Sequence, residues 1–142
     1  MLRKLDRKGA AAIETALLFP VLLLLGAGVA DFGFGVYDHM RLTSAVRAGT
    51  QTALQYPDDA AGIQAAVETA LALAPGAATV TVAASCECPG GGEVDCGVGV
   101  CQTGTMRKHV TVSVTQPKQW LVDYPLIAKP DVLTAQASIR VE

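Results

Sequence analysis

The segment from Ala10 to Ala30 constrains this chain more than any other: 21 residues in which Glu14 is the sole ionisable group. As a helix it measures about 31 Å at ~1.5 Å per residue, which matches a hydrocarbon core of ~30 Å. A run of this length and polarity predicts a membrane span, and the rest of the chain is read around it. Arg3, Lys4, Arg7 and Lys8 precede it, and no further basic residue follows until Arg41. By the positive-inside rule the N-terminus is cytoplasmic and everything after Asp31 is exported.

A chain of 142 residues has room for such an anchor and one modest domain. Of its 11 basic and 13 acidic residues, four basic and one acidic lie in residues 1–9, so the remainder carries a net charge of -5. An acidic body without a basic stripe argues against nucleic-acid binding. At 51% hydrophobic and 17% charged residues, the chain is too apolar for disorder and too charged for a polytopic membrane protein.

Three readings of the N-terminus compete. One is a plain signal anchor. Another is a secretory signal peptide cut after Gly28-Val29-Ala30, a small-x-small site. Neither uses Glu14. A carboxylate at the centre of a transmembrane helix costs roughly 2.5–3.5 kcal/mol, and Glu14 lies about one turn inside the cytoplasmic end, so part of that cost applies. The third reading uses it. Basic residues, Gly9, Ala10-Ala11-Ala12-Ile13-Glu14 and an apolar helix together resemble a class III, type IV prepilin-like signal. That resemblance implies cleavage after Gly9 by a membrane aspartic peptidase, with Gly9 and Ala10 as the processing site. Cutting there frees an ammonium at Ala10, and Glu14 can pair with its own or a neighbouring subunit's amine, offsetting the desolvation of both charges.

The wider stretch narrows the resemblance. Gly9, Glu14, Pro20, the Asp31-Phe32-Gly33 exit and Leu42-Thr-Ser-Ala-Val-Arg-Ala-Gly49 are similar to the opening of the TadE-like family, which includes TadE and TadF, minor pseudopilins of the Flp/Tad tight-adherence pilus system. Thr15 stands where these proteins often carry an aromatic residue. The resemblance implies three parts: a cytoplasmic leader over 1–9, a transmembrane helix over 10–30 in the bacterial inner membrane, and an exported pseudopilin-like domain over 31–142. It implies a prepilin peptidase, other Tad pilins and an inner-membrane assembly platform as partners, besides membrane lipid. The body is far longer than a major Flp pilin, which points to a minor subunit. The alternative is a membrane-anchored binding module that never polymerises.

Pro20 removes a helix donor and crowds the Ala16 carbonyl, which predicts a kink. Gly26, Gly28, Gly33 and Gly35 cluster at the outer end, either for close packing through small residues or as a soft joint. The helix pattern then resumes, with Val36, Met40, Thr43, Val46, Thr50 and Leu54 along one stripe. A small-residue face of Ala45, Gly49 and Ala53, flanked by Ser44, Ala48 and Thr52, allows another element to approach. Pro57 ends the helix by Tyr56.

Pro57-Asp58-Asp59 starts a second helix over about Ala60–Leu73, closed by Pro75-Gly76. Period-two alternation then predicts strands at 78–84, 109–115 and 133–141. The expected fold class is therefore α+β. A long N-terminal transmembrane helix extends into a small domain, with a second helix and a three-stranded antiparallel sheet carrying a cystine-stapled loop. Trp120 and Tyr124, in the long connection before the last strand, are expected to cover one end of the core.

Cys86, Cys88, Cys96 and Cys101 all fall between the first two strands. An exported loop favours disulfides over zinc, because paired C-x2-C knuckles are missing and the compartment is oxidising. Pairing Cys86 with Cys88 is strained. That leaves the nested pairing, Cys86–Cys101 with Cys88–Cys96, which suits a hairpin loop and is the one expected, or the crossed one. Nothing points to catalysis, a metal or a cofactor. His39 and His109 are the only histidines, and neither has a nucleophile and carboxylate spaced for a triad. No phosphate-binding glycine motif follows a strand.

Overall fold

A computed structural model describes residues 7–74, 76–122 and 128–141. The elements run α1 (Arg7–Gln55), α2 (Ala60–Leu71), β1 (Thr79–Glu87), β2 (Glu93–Val94), β3 (Arg107–Pro117) and β4 (Val132–Arg140). The chain divides into two compact units. One holds α1 up to Val36 with Trp120–Ala128; the other holds Tyr37–Gln119 with Lys129–Glu142.

In the first unit, α1 is the only helix among the described residues long and apolar enough to cross a membrane. Its most apolar stretch has a mean hydropathy of 2.1 and none of it is buried within the chain. Leu17, Leu18, Val21, Leu22 and Leu25 are all exposed. A helix apolar on every side has no polar face to give to water, which is the pattern of a lipid-facing segment. Pro20 lies inside α1, which is helical on both sides of it.

In the second unit, one hydrophobic core joins the end of α1, α2 and the sheet. Leu42, Ala45, Val46 and Ala53 of α1 meet Ile63, Val67 and Leu71 of α2 and Val110, Val112 and Val114 of β3, with Ala135 of β4. This corrects the expected stripe in part: its Val46 and Thr50 are buried, and the small-residue face packs inward beside them. Met40 and Leu54 are exposed, whereas Leu42, Ala45, Val46, Gly49 and Ala53 are buried. The small-residue face packs inward because it alone admits β3. A Cβ added at Gly49 would overlap Val67 and stand 3.3 Å from Val112 Cγ1.

The sheet is antiparallel throughout, with order β2-β1-β3-β4. It has four strands where three were expected; the addition is the two-residue β2, paired through Cys86 with Val94 and Glu87 with Glu93. Such a stub is too short for alternation to reveal. The register places Val82 opposite Val112 and Val112 opposite Ala137. The same face therefore carries the apolar positions of all three long strands. The other face carries Thr81, Ser113 and Gln136, and Thr111 Oγ1 donates to Ser138 Oγ at 3.1 Å. Asp59 caps α2 by accepting from the Gly62 amide at 2.9 Å. Arg41 donates to the Leu71 carbonyl at the other end, satisfying one of the acceptors a helix C-terminus leaves open.

Candidate functional site

The residues expected to carry processing and assembly lie on the first turns of α1. Gly9 is helical and exposed, and a Cβ added there would meet nothing within 4 Å. The bond after Gly9 is thus part of a helix end, and a peptidase would have to unwind that turn to extend it. Glycine weakens a helix by roughly 1 kcal/mol against alanine, so the turn is among the easiest to open. Residues 1–6 of the expected leader lie outside the described residues.

Glu14 is exposed on the flank of the helix, with Ile13, Leu17 and Leu18 exposed around it. Among the described residues nothing pairs with its carboxylate. The hydroxyl of the next residue is satisfied locally, since Thr15 Oγ1 donates to the Ala11 carbonyl at 2.9 Å. Glu14 is thus an exposed carboxylate on an apolar stretch, without an ion pair or side-chain hydrogen bond to any other described residue. Gly26 and Gly33 face open space, so the chain's own packing requires neither.

At the outer end of the apolar run, Asp31 is 3% exposed. Its carboxylate accepts from the Leu121 amide at 2.8 Å and from the Val122 amide at 3.1 Å. The sequence marked Asp31 only as part of the helix exit. The residues that bond it lie 90 and 91 positions away, with no local pattern to disclose them. Trp120 belongs to this unit and rests by its ring against Gly35, where an added Cβ would stand 3.8 Å from its Cη2. Tyr124 lies outside the described residues.

The cysteines form Cys86–Cys96 and Cys88–Cys101, with Cα separations of 5.2 and 5.4 Å. This is the crossed pairing and corrects the nested one. Because β2 pairs Val94 with Cys86, Cys96 arrives beside Cys86 before the chain can return to Cys101. Gly90, Gly91 and Gly92 all have positive φ (106°, 86° and 137°), and the Gly91 amide donates to the Cys88 carbonyl at 3.1 Å. The turn thus uses backbone conformations that side chains disfavour. Beyond it, Asp95 Oδ1 accepts from the Gly97 amide at 2.7 Å and organises the next turn. The pinned loop presents Val98 and Val100 to solvent, 81% and 87% exposed.

His109 has no triad spacing in the sequence, yet the sheet brings Ser85 opposite it and Glu87 beside it. Its Nε2 is buried without a hydrogen-bond partner, 3.6 Å from Glu87 Oε1. That is longer than a hydrogen bond. Ser85 and His109 face each other as register partners across β1 and β3. Among the described residues no cluster of three His, Cys, Asp or Glu side chains could hold a metal ion.

No curated protein and no solved structure matches the chain. A family model described as TadE-like protein matches residues 9–51, from the glycine before the expected cut to the buried face of α1. Over residues 9–51, with the Gly9, Glu14 and Pro20 pattern inside the match, the chain is similar to the TadE-like family.

Proposed function

We propose that this chain is a minor pseudopilin of a Tad-type pilus system, a structural subunit held in the inner membrane by α1 until it is processed and assembled. The observation that carries the reading is Glu14: a lone exposed carboxylate on an apolar helix, five residues beyond Gly9, within the TadE-like match. A carboxylate facing lipid is costly, and a partner cation removes much of that cost. Cleavage between Gly9 and Ala10 would create such a cation one helical turn away. The new ammonium of one subunit would then meet Glu14 of its neighbour as their helices bundle. The chemistry of the cut belongs to the peptidase, and this chain is its substrate.

Mass spectrometry of the mature protein, taken from cells that contain the processing machinery, tests the first step. The reading expects Ala10 as the first residue. Glu14→Ala tests the second: membrane insertion should persist while incorporation into the assembly falls several-fold. A leader retained in those cells, with the Glu14→Ala variant assembling normally, would sink the pseudopilin reading.

A second reading, an anchored binding module that does not polymerise, is favoured by the cystine loop. Two disulfides and an Asp95 turn hold Val98 and Val100 outward, which is a preorganised apolar contact. An intact leader together with loss of a binding activity on Val98→Ser or Val100→Ser would select that reading.

A further inference from the structure

We propose that Trp120–Val122 is a second membrane contact of this chain, seated in the lipid headgroup layer beside the outer end of the anchor. The proposal rests on the reading of α1 as a membrane span and adds a distant segment to it. Asp31, directly after the apolar run, is buried and accepts two backbone amides from this segment. A carboxylate at the edge of a hydrocarbon layer is unfavourable unless donors replace water. The two N–H groups supply that replacement, and Asp31 in turn fixes the segment against the helix.

The surroundings are apolar and open. Leu121 is 68% exposed, and Phe32 and Phe34 are exposed as well. The six residues from Phe32 to Tyr37 carry no charge. The Trp120 ring lies beside the helix at Gly35, 3.8 Å from where a Cβ would stand, five residues past Ala30, or about 7.5 Å at ~1.5 Å per residue. The headgroup layer on each side of a bilayer is about 5–7.5 Å deep. The ring is therefore placed at the outer boundary of that layer, near the interface where tryptophan concentrates in membrane proteins. Continuity with the lipid-facing helix makes lipid the occupant of this surface, in preference to a second copy of the chain.

Trp120 is the single tryptophan, so its intrinsic emission reports on this site alone. The full chain is reconstituted into phosphatidylcholine–phosphatidylglycerol vesicles brominated either high on the acyl chains or near the bilayer centre. Co-flotation after an alkaline wash reads the anchor independently. The expected result is emission shifted to the blue, with quenching several-fold stronger from the shallow bromines than from the deep ones. Asp31→Asn, which weakens the clamp, should still float but lose most of the shallow quenching. A floating chain whose Trp120 is untouched by both bromolipids overturns the proposal while leaving the anchor intact. In that case strong iodide quenching would mean the ring is in water, and weak iodide quenching would mean protein covers it. A chain that does not float overturns the anchor reading and this proposal with it.

Discussion

Two single residues set limits that their neighbours cannot relax. Gly49 is where α1, α2 and β3 converge, and a methyl group there would overlap Val67, a stiff β-branched side chain with no exposure. Alanine is the better helix former by roughly 1 kcal/mol, yet overpacking a filled core costs about 1–3 kcal/mol, so the steric term wins. Gly49→Ala should therefore lower the chemical-denaturation midpoint of the detergent-solubilised chain; an unchanged or higher midpoint would mean the core has slack at this point. Glu14 is constrained by solvent instead of by volume. The apolar stretch around it makes no demand for a carboxylate, and the proposed pairing with a new terminal ammonium would offset the cost of keeping one there.

Among the elements, β2 and the cystine loop depend on each other. Two paired residues cannot persist alone, since even a full two-stranded hairpin is marginal in water. Closing loops of this size contributes about 3 kcal/mol by chain entropy. Peptide mapping without reduction should recover Cys86 linked to Cys96 and Cys88 linked to Cys101; the nested pair in its place would refute the β1–β2 register. Removing the outer bridge with Cys88→Ala and Cys101→Ala should free the triple-glycine turn. Proteolysis between residues 89 and 104 should then quicken several-fold, while the Cys86–Cys96 link and the valine core of β3 persist. The asymmetry follows from burial, because Cys86 lies inside the domain and the Cys88–Cys101 bridge lies among exposed loop residues.

At the scale of the whole molecule the two units differ in the solvent each can tolerate. The first offers an apolar helix with no buried stretch. The second buries its valines and leaves a face of threonine and serine for water. With the basic cluster of residues 3–8 ahead of the helix, the chain should cross the inner membrane once, N-terminus inside. Protease added to spheroplasts should digest the body and leave a protected fragment ending near Asp31. Digestion from the cytoplasmic face of inverted vesicles, with the body cut, would reverse the assigned orientation and remove the basis for leader processing.

The parts legible in the sequence were those written in local patterns. The apolar stretch of α1 shows as a run broken only by Glu14, α2 as Asp59 followed by apolar residues at helical spacing, and the three long strands as alternation. Their ends were off by one to three residues, where alternation stops before hydrogen bonding does. The Gly9–Glu14 spacing was legible for the same reason, since both residues belong to one short segment. What the tertiary structure alone decided depends on residues far apart in the chain. It left Met40 and Leu54 off the buried face of α1, because fit against Val67 and Val112 outweighs their hydrophobicity. It chose the crossed disulfides, because the register of a two-residue strand sets which sulfurs meet. It joined Asp31 to Leu121 and Val122, because a carboxylate binds whatever amides the fold delivers, and one-dimensional periodicity does not encode which those are.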